Sequence, residues 1–271
     1  MEREHITPQG VSVFHDKNEN IHSFCLCLYV RAGSLFETKE NNGISHFFEH
    51  IVFKNIHYQM GENLYQTLDR CGLDFNASTY EEFIQFIITG APAHFEEAAE
   101  ILTGIFEPIT LPEEVIDTER KRIKAEIREE DEESSLGYFT KKIAWKNTSL
   151  ERTITGKKKT LDKIKGKQLR KFQKEVLSSN NIFFYISGNY PETAVVTVTK
   201  LMENYPLTVM KKERKNLAPV PKRFFARKPK VYVKNSKKTC VCFSVDINAS
   251  NYTLAEKNLP DIIIMLETWV I

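Results

Sequence analysis

Apolar and polar positions along this chain change period several times, and each change predicts an element. Short alternating runs at 11–15 and 21–31 predict two strands joined by a polar turn at Asp16–Asn20. In the second run Phe24, Leu26, Leu28 and Val30 fall on one face and Cys25, Cys27 and Tyr29 on the other. Apolar residues on both faces predict a central strand. Asn41-Asn42-Gly43 then turns the chain into a helix, with Ser45 or Asn42 as the expected N-cap. Residues 61–71 predict a helix with Leu64 and Leu68 inward, closed by Gly72. Paired strands are expected at 73–79 and 82–89, and an amphipathic helix over 93–106. Beyond Pro108 and Pro112 a long acidic helix is expected over 111–133, continuing to 145, with Ile116, Ile123 and Ile127 on its apolar stripe. Lysine-rich helices near Leu161 and over 166–177, a strand at 181–188 and a helix at 192–205 complete the series. This order predicts an α+β fold, an antiparallel-rich mixed sheet with helices packed on it.

The pattern loosens after residue 210. Residues 211–230 are rich in Lys and Arg and contain Pro219, Pro221 and Pro229, as a linker would be. Strand-like runs resume at 231–233 and 239–247, where Thr239-Cys240-Val241-Cys242-Phe243 echoes Phe24-Cys25-Leu26-Cys27-Leu28. The expected organisation is a metal-binding domain at 1–210, a basic linker at 211–230, and the start of a second, incomplete copy at 231–271. So short a tail is expected to pack on the first domain, another copy or a partner chain.

The candidate chemistry begins at His46-Phe47-Phe48-Glu49-His50. Residues four apart share a helix face, so both imidazoles can reach one metal ion. Glu49 is turned about 100° from His50, beside the ligands but aimed differently, as suits a carboxylate that takes a proton from water. This is the H-x-x-E-H order. A catalytic zinc site takes three protein ligands and leaves a position for water, so a third ligand is required. On the acidic helix Glu119, Glu126 and Glu130 lie on or beside the apolar stripe, where an unpartnered acid is costly. Glu126 is the expected third ligand, and Glu119 the acid that orients a histidine. Cys25-x-Cys27 offers two thiols, but small buried thiols in a strand explain it better.

Several separate blocks resemble the pitrilysin/insulinase family of zinc peptidases, which includes the mitochondrial processing peptidases. They are Arg31-Ala32-Gly33-Ser34, Glu37, Asn42-Gly43 with the motif itself, Asn76-Ala77-Ser78-Thr79, and Glu119-Arg120 with Glu126. The resemblance runs from about Gly10 to Tyr205. It implies Zn²⁺ held by His46, His50 and a glutamate some 76 residues beyond the motif, the interval that separates His50 from Glu126. It further implies Glu49 as general base and an edge strand at Asn76 and Ala77 that pairs with substrate backbone. A second domain that folds over the cleft is implied too, supplying an Arg and a Tyr that this chain ends too early to contain. The expectation is a zinc endopeptidase acting on peptides or a precursor, with a second family subunit or a further copy of the chain as partner. A non-catalytic, peptide-binding subunit is the alternative.

Composition narrows this only slightly. The net charge of +2 conceals a division: residues 1–136 carry 11 basic and 26 acidic residues, a net of −15, and residues 137–271 carry 27 and 10, a net of +17. An acidic half around a metal site suits cationic substrates or a basic partner surface, or else the two halves face each other. No aromatic–basic module accompanies the basic half, so nucleic acid is not expected as a partner. No apolar run is long enough to cross a bilayer, and no membrane partner is expected. Met1–His5 lacks the order of a secretion signal, and five cysteines show no disulfide spacing. A cytoplasmic protein with reduced thiols is the expectation.

Overall fold

The structure, a computed structural model, describes residues 3–130, 137–138, 141–142 and 145–210. The chain divides into units Met1–Pro219 and Val220–Ile271, and every described residue belongs to the first. The expected linker and partial second copy lie outside the described residues, as does most of 134–145.

Six strands form one sheet: β1 (Arg3–Ile6), β2 (Ser12–Lys17), β3 (Phe24–Val30), β4 (Asp74–Thr79), β5 (Ile84–Gly90) and β6 (Ile182–Gly188). Their spatial order is β1-β2-β6-β3-β5-β4, with β2 and β6 parallel and every other pair antiparallel. The mixed, antiparallel-rich sheet is thus as expected. β3 is central, between β5 and β6, because both its faces carry side chains that gain from cover.

The expected strand pair at 11–31 needs correction, and one strand is added. β2 and β3 are not neighbours joined by a tight turn, since β6 lies between them. The link must cross two strand spacings, roughly 10 Å. It is held to the end of β6 by Asn18 N–H donating to Gly188 O and Asn189 N–H donating to Ser23 O, both at 2.9 Å. The exposed β1 also went unexpected, because Arg-Glu-His-Ile carries no alternation to reveal it.

The helices are α1 (Ile44–Met60), α2 (Asn63–Cys71), α3 (Phe95–Thr103), α4 (Glu113–Glu130), the short α5 (Lys158–Leu161), α6 (Gly166–Val176) and α7 (Ala194–Met202). Phe24, Leu26, Leu28, Phe86, Ile88, Phe184 and Ile186 of the sheet meet Phe47, Phe48 and Ile51 of α1 in one core. Each such side chain contributes about 1.5–3 kcal/mol on burial. Among the described residues no helix is long and apolar enough to cross a membrane.

The start of α1 departs from expectation in a way that matters for the site. Neither Ser45 nor Asn42 caps it; the cap residue is Gly43, in the left-handed region at φ 95°. The fully buried carboxylate of Glu37 accepts from Gly43 N–H (2.7 Å), Ser45 N–H (2.9 Å) and Asn42 Nδ2 (2.9 Å). A charged acceptor satisfies several orphan donors where a serine hydroxyl reaches one. Gly43 is needed sterically as well, since a Cβ there would lie 2.8 Å from Thr155 O and 2.9 Å from the Cα of Gly156. Asn42 Nδ2 also donates to Thr153 O and Thr160 Oγ1 donates to Asn42 O, fastening this end of α1 to the segment that leads into α5 and to α5 itself.

Candidate metal centre

α1 and α4 pack against each other, and their facing sides carry the candidate residues. On α1 the alternation of Phe47, Phe48, Ile51 and Val52 with His46, Glu49 and His50 turns the apolar stripe to the core and the polar residues to its border. On α4 the buried Ile116 and Ile123 set the same rotation, which brings Glu119 and Glu126, two turns apart, toward α1. Arg120 fixes that rotation. Its Nε and Nη2 donate to Leu161 O (3.0 Å) and Ile164 O (2.7 Å), and its guanidinium lies over the Phe47 ring at 5.4 Å.

The outcome is a three-donor cluster. Glu126 Oε2 lies 3.4 Å from His50 Nε2 and 4.0 Å from His46 Nε2, and the three donor atoms all lie within 4.8 Å of one another. Glu126 Oε2 is buried, yet among the described residues it has no hydrogen-bond donor. A buried carboxylate oxygen with no donor, facing two imidazole nitrogens, is the arrangement a divalent cation satisfies. Burial, with the neighbouring His50, lowers the His46 pKa to about 3, so that ring stays neutral with a lone pair to offer. Glu119 Oε2 sits 3.7 Å from His50 Nδ1, on the ring's opposite side from Glu126. That contact, stronger than the opposing effect of burial, holds the Glu119 carboxyl below the usual range.

Glu49 stands apart from the cluster. Burial raises its pKa, and the nearby Glu126 adds to this, whereas a hydrogen bond from Thr79 Oγ1 and the neighbouring His50 act the other way. Thr79 was not among the expected site residues. It lies on the same face of β4 as Phe75 and Ala77, and that parity could have exposed it.

Glu49, His50 and Glu126 open onto a cleft of about 390 Å³ whose wall includes Phe53, Asn76 and Ala77. β4 is the terminal strand of the sheet, as the strand-addition expectation requires. Asn76 Oδ1 accepts from the Ala77 N–H at 2.9 Å, so the strand's own side chain occupies that edge donor. The structure therefore brings together all seven expected site residues: the His46, His50, Glu126 cluster, Glu49 and Glu119 beside it, and Asn76 and Ala77 on the cleft wall. Glu130, the remaining acid of the stripe, is described only in its backbone.

Comparison with known proteins agrees with this fold. Residues 12–158 match the model of the insulinase family, peptidase family M16. The chain belongs to that family. It is 26% identical over 198 residues to the uncharacterized zinc protease YmxG of Bacillus subtilis, covering 72% of this chain and 48% of the relative. It is 31% identical over 156 residues to the mitochondrial-processing peptidase subunit beta of Rattus norvegicus, covering 56% of this chain and 32% of that protein. The M16 chain thus spans about half or less of the length of these curated relatives. Among solved structures, a protease from Helicobacter pylori superposes with a TM-score of 0.69 at 19% identity, over 80% of this chain and 53% of that one. A peptidase M16 inactive domain from Pseudomonas fluorescens superposes at 0.70 with 14% identity, over 80% and 54%. At such identities the structural matches speak for the fold.

Proposed function

We propose that the chain is the catalytic part of a zinc-dependent endopeptidase that cuts peptides or a precursor's leader segment. The observation that carries this reading is the buried Glu126 oxygen, with no donor among the described residues, facing the two imidazoles, with Glu49 beside it on an open cleft. His46, His50 and Glu126 would hold Zn²⁺, which when bound polarises the scissile carbonyl and makes water more acidic. Glu119 holds the His50 ring in place through Nδ1, leaving Nε2 directed at the metal position. Glu49 takes the proton from the attacking water and returns it to the leaving amine. Its partly buried position suits that exchange, because burial raises the pKa of its carboxyl and so makes it a better proton acceptor than an exposed glutamate. Thr79 fixes the rotamer of Glu49.

The substrate lies along β4 as an added strand, its backbone pairing with the edge at Asn76 and Ala77 once the Asn76 side chain turns away. Full activity requires a second domain or a partner subunit to close the cleft, and we place the protein in the cytoplasm. A second reading is a peptide-binding subunit without activity of its own. It draws support from a relative named as a subunit and from a structural neighbour described as an inactive domain.

Zinc content and cleavage of a peptide library by the purified chain, with Glu49→Gln as control, test the proposal. Bound zinc with cleavage that Glu49→Gln abolishes supports the peptidase. Bound zinc without cleavage, even after relatives' second halves are supplied, supports the subunit reading. Absence of zinc overturns the metal assignment.

A further inference from the structure

The base of the β4–β5 hairpin carries another set of metal-ligating groups. Cys71 is the last residue of α2, His94 ends the 3₁₀ turn Pro92–His94, and Glu97 is in the first turn of α3. Cys71 Sγ is 3.9 Å from Glu97 Oε1, and His94 Nδ1 is 3.4 Å from the same oxygen. One donor atom from each lies within 4.8 Å of the others. An ion with bonds of about 2.0–2.3 Å in tetrahedral array needs donors roughly 3.3–3.8 Å apart, so only small side-chain rotations separate this cluster from a site.

The bland explanation covers part of it. His94 and Glu97 form an i, i+3 pair at a helix start, an ordinary surface arrangement. Cys71 Sγ also donates to the Glu97 carboxylate, which joins a thiol only 5% exposed to that pair. Sulfur, nitrogen and oxygen donors from two separate parts of the chain converge here.

We infer that Cys71, His94 and Glu97 bind a thiophilic divalent cation of the zinc or cobalt class, with water completing the shell. Such an ion would clamp the two feet of the hairpin, where Asp74 pairs with Thr89. The far end of the same β4 brings Thr79 to Glu49, so the clamp would set how the edge strand sits against the cleft. The inference is independent of the peptidase reading.

The test uses the full chain carrying His46→Ala and His50→Ala, freed of metal and titrated with Co²⁺ alone. The expected result is one equivalent bound with a near-ultraviolet thiolate-to-cobalt absorption band. Cys71→Ala should abolish the band, and His94→Ala and Glu97→Gln should each weaken Co²⁺ binding at least about tenfold. Circular dichroism melting confirms that each variant is folded; if Cys71→Ala is not, the other two variants decide. Absence of the band, its survival in folded Cys71→Ala through Cys25 and Cys27, or unchanged affinity in both other variants overturns the inference.

Discussion

The two donor clusters sit toward opposite ends of β4 and are held in different ways. His46, His50 and Glu126 project from two long helices whose other faces are locked into the core, so backbone rotation fixes their direction. Cys71, His94 and Glu97 sit at element ends, one beside the helix-closing Gly72 and two around a 3₁₀ turn. A helix face can aim several side chains at one point before any metal arrives. Chain ends can aim them only when neighbouring loops cooperate. Hence the first cluster is prearranged and suited to chemistry, while the second suits a clamp that draws its donors together.

This contrast can be broken experimentally, beginning with the largest effect. Glu49→Gln removes the proton acceptor but no ligand, and peptide cleavage should fall about 10²–10⁴-fold with zinc content unchanged in elemental analysis. If zinc is lost too, Glu49 belongs to the cluster rather than beside it. Glu126→Ala should leave a two-histidine remnant that loses zinc on dialysis, whereas Glu119→Gln, which disturbs only the orientation of His50, should weaken zinc affinity about 10–100-fold. Equal losses in the two variants would show that α4 does not rank its acids as the distances suggest.

Prearrangement itself is tested at Glu37. Its carboxylate satisfies three buried donors at the start of α1, so Glu37→Ala should cost about 2–4 kcal/mol in urea unfolding. Glu49 offers a pH test. The Thr79 hydroxyl favours its ionised form, so in Thr79→Val the Glu49 pKa rises further and the acidic limb of the cleavage profile moves to higher pH. The acceptor is then protonated over more of the acid range, and activity there falls. A limb that moves to lower pH would contradict the assignment. The smallest effect is expected at Asn76→Ala, which frees the Ala77 edge donor but removes a substrate contact; KM should change only about threefold with kcat preserved.

Legibility in the sequence followed the same contrast. The i, i+4 histidines, the apolar stripe through Ile116 and Ile123, and the acids on that stripe are periodic signals, and a helix converts period directly into direction. The placement of β6 between β2 and β3 is not periodic information. Parallel pairing of residues about 170 positions apart depends on which edges other strands leave available. Glu37 was visible as a residue but not as a cap, because the capping rules for short side chains describe neighbours in sequence and this carboxylate reaches forward from a loop. The Cys71 cluster escaped notice because its members are divided by a whole hairpin.

By itself the sequence determined the helix that carries His46, Glu49 and His50, the acids able to face them, and the strands other than β1, since local periodicity and side-chain chemistry act over a few residues. Only the tertiary structure decided that Glu126 arrives at the imidazoles, that Thr79 meets Glu49, and that β4 lies at the edge of the described sheet. Those outcomes depend on the relative rotation of packed elements, which is set by the buried contacts of Arg120, Phe47 and the core, and no window of sequence contains both sides of such a contact.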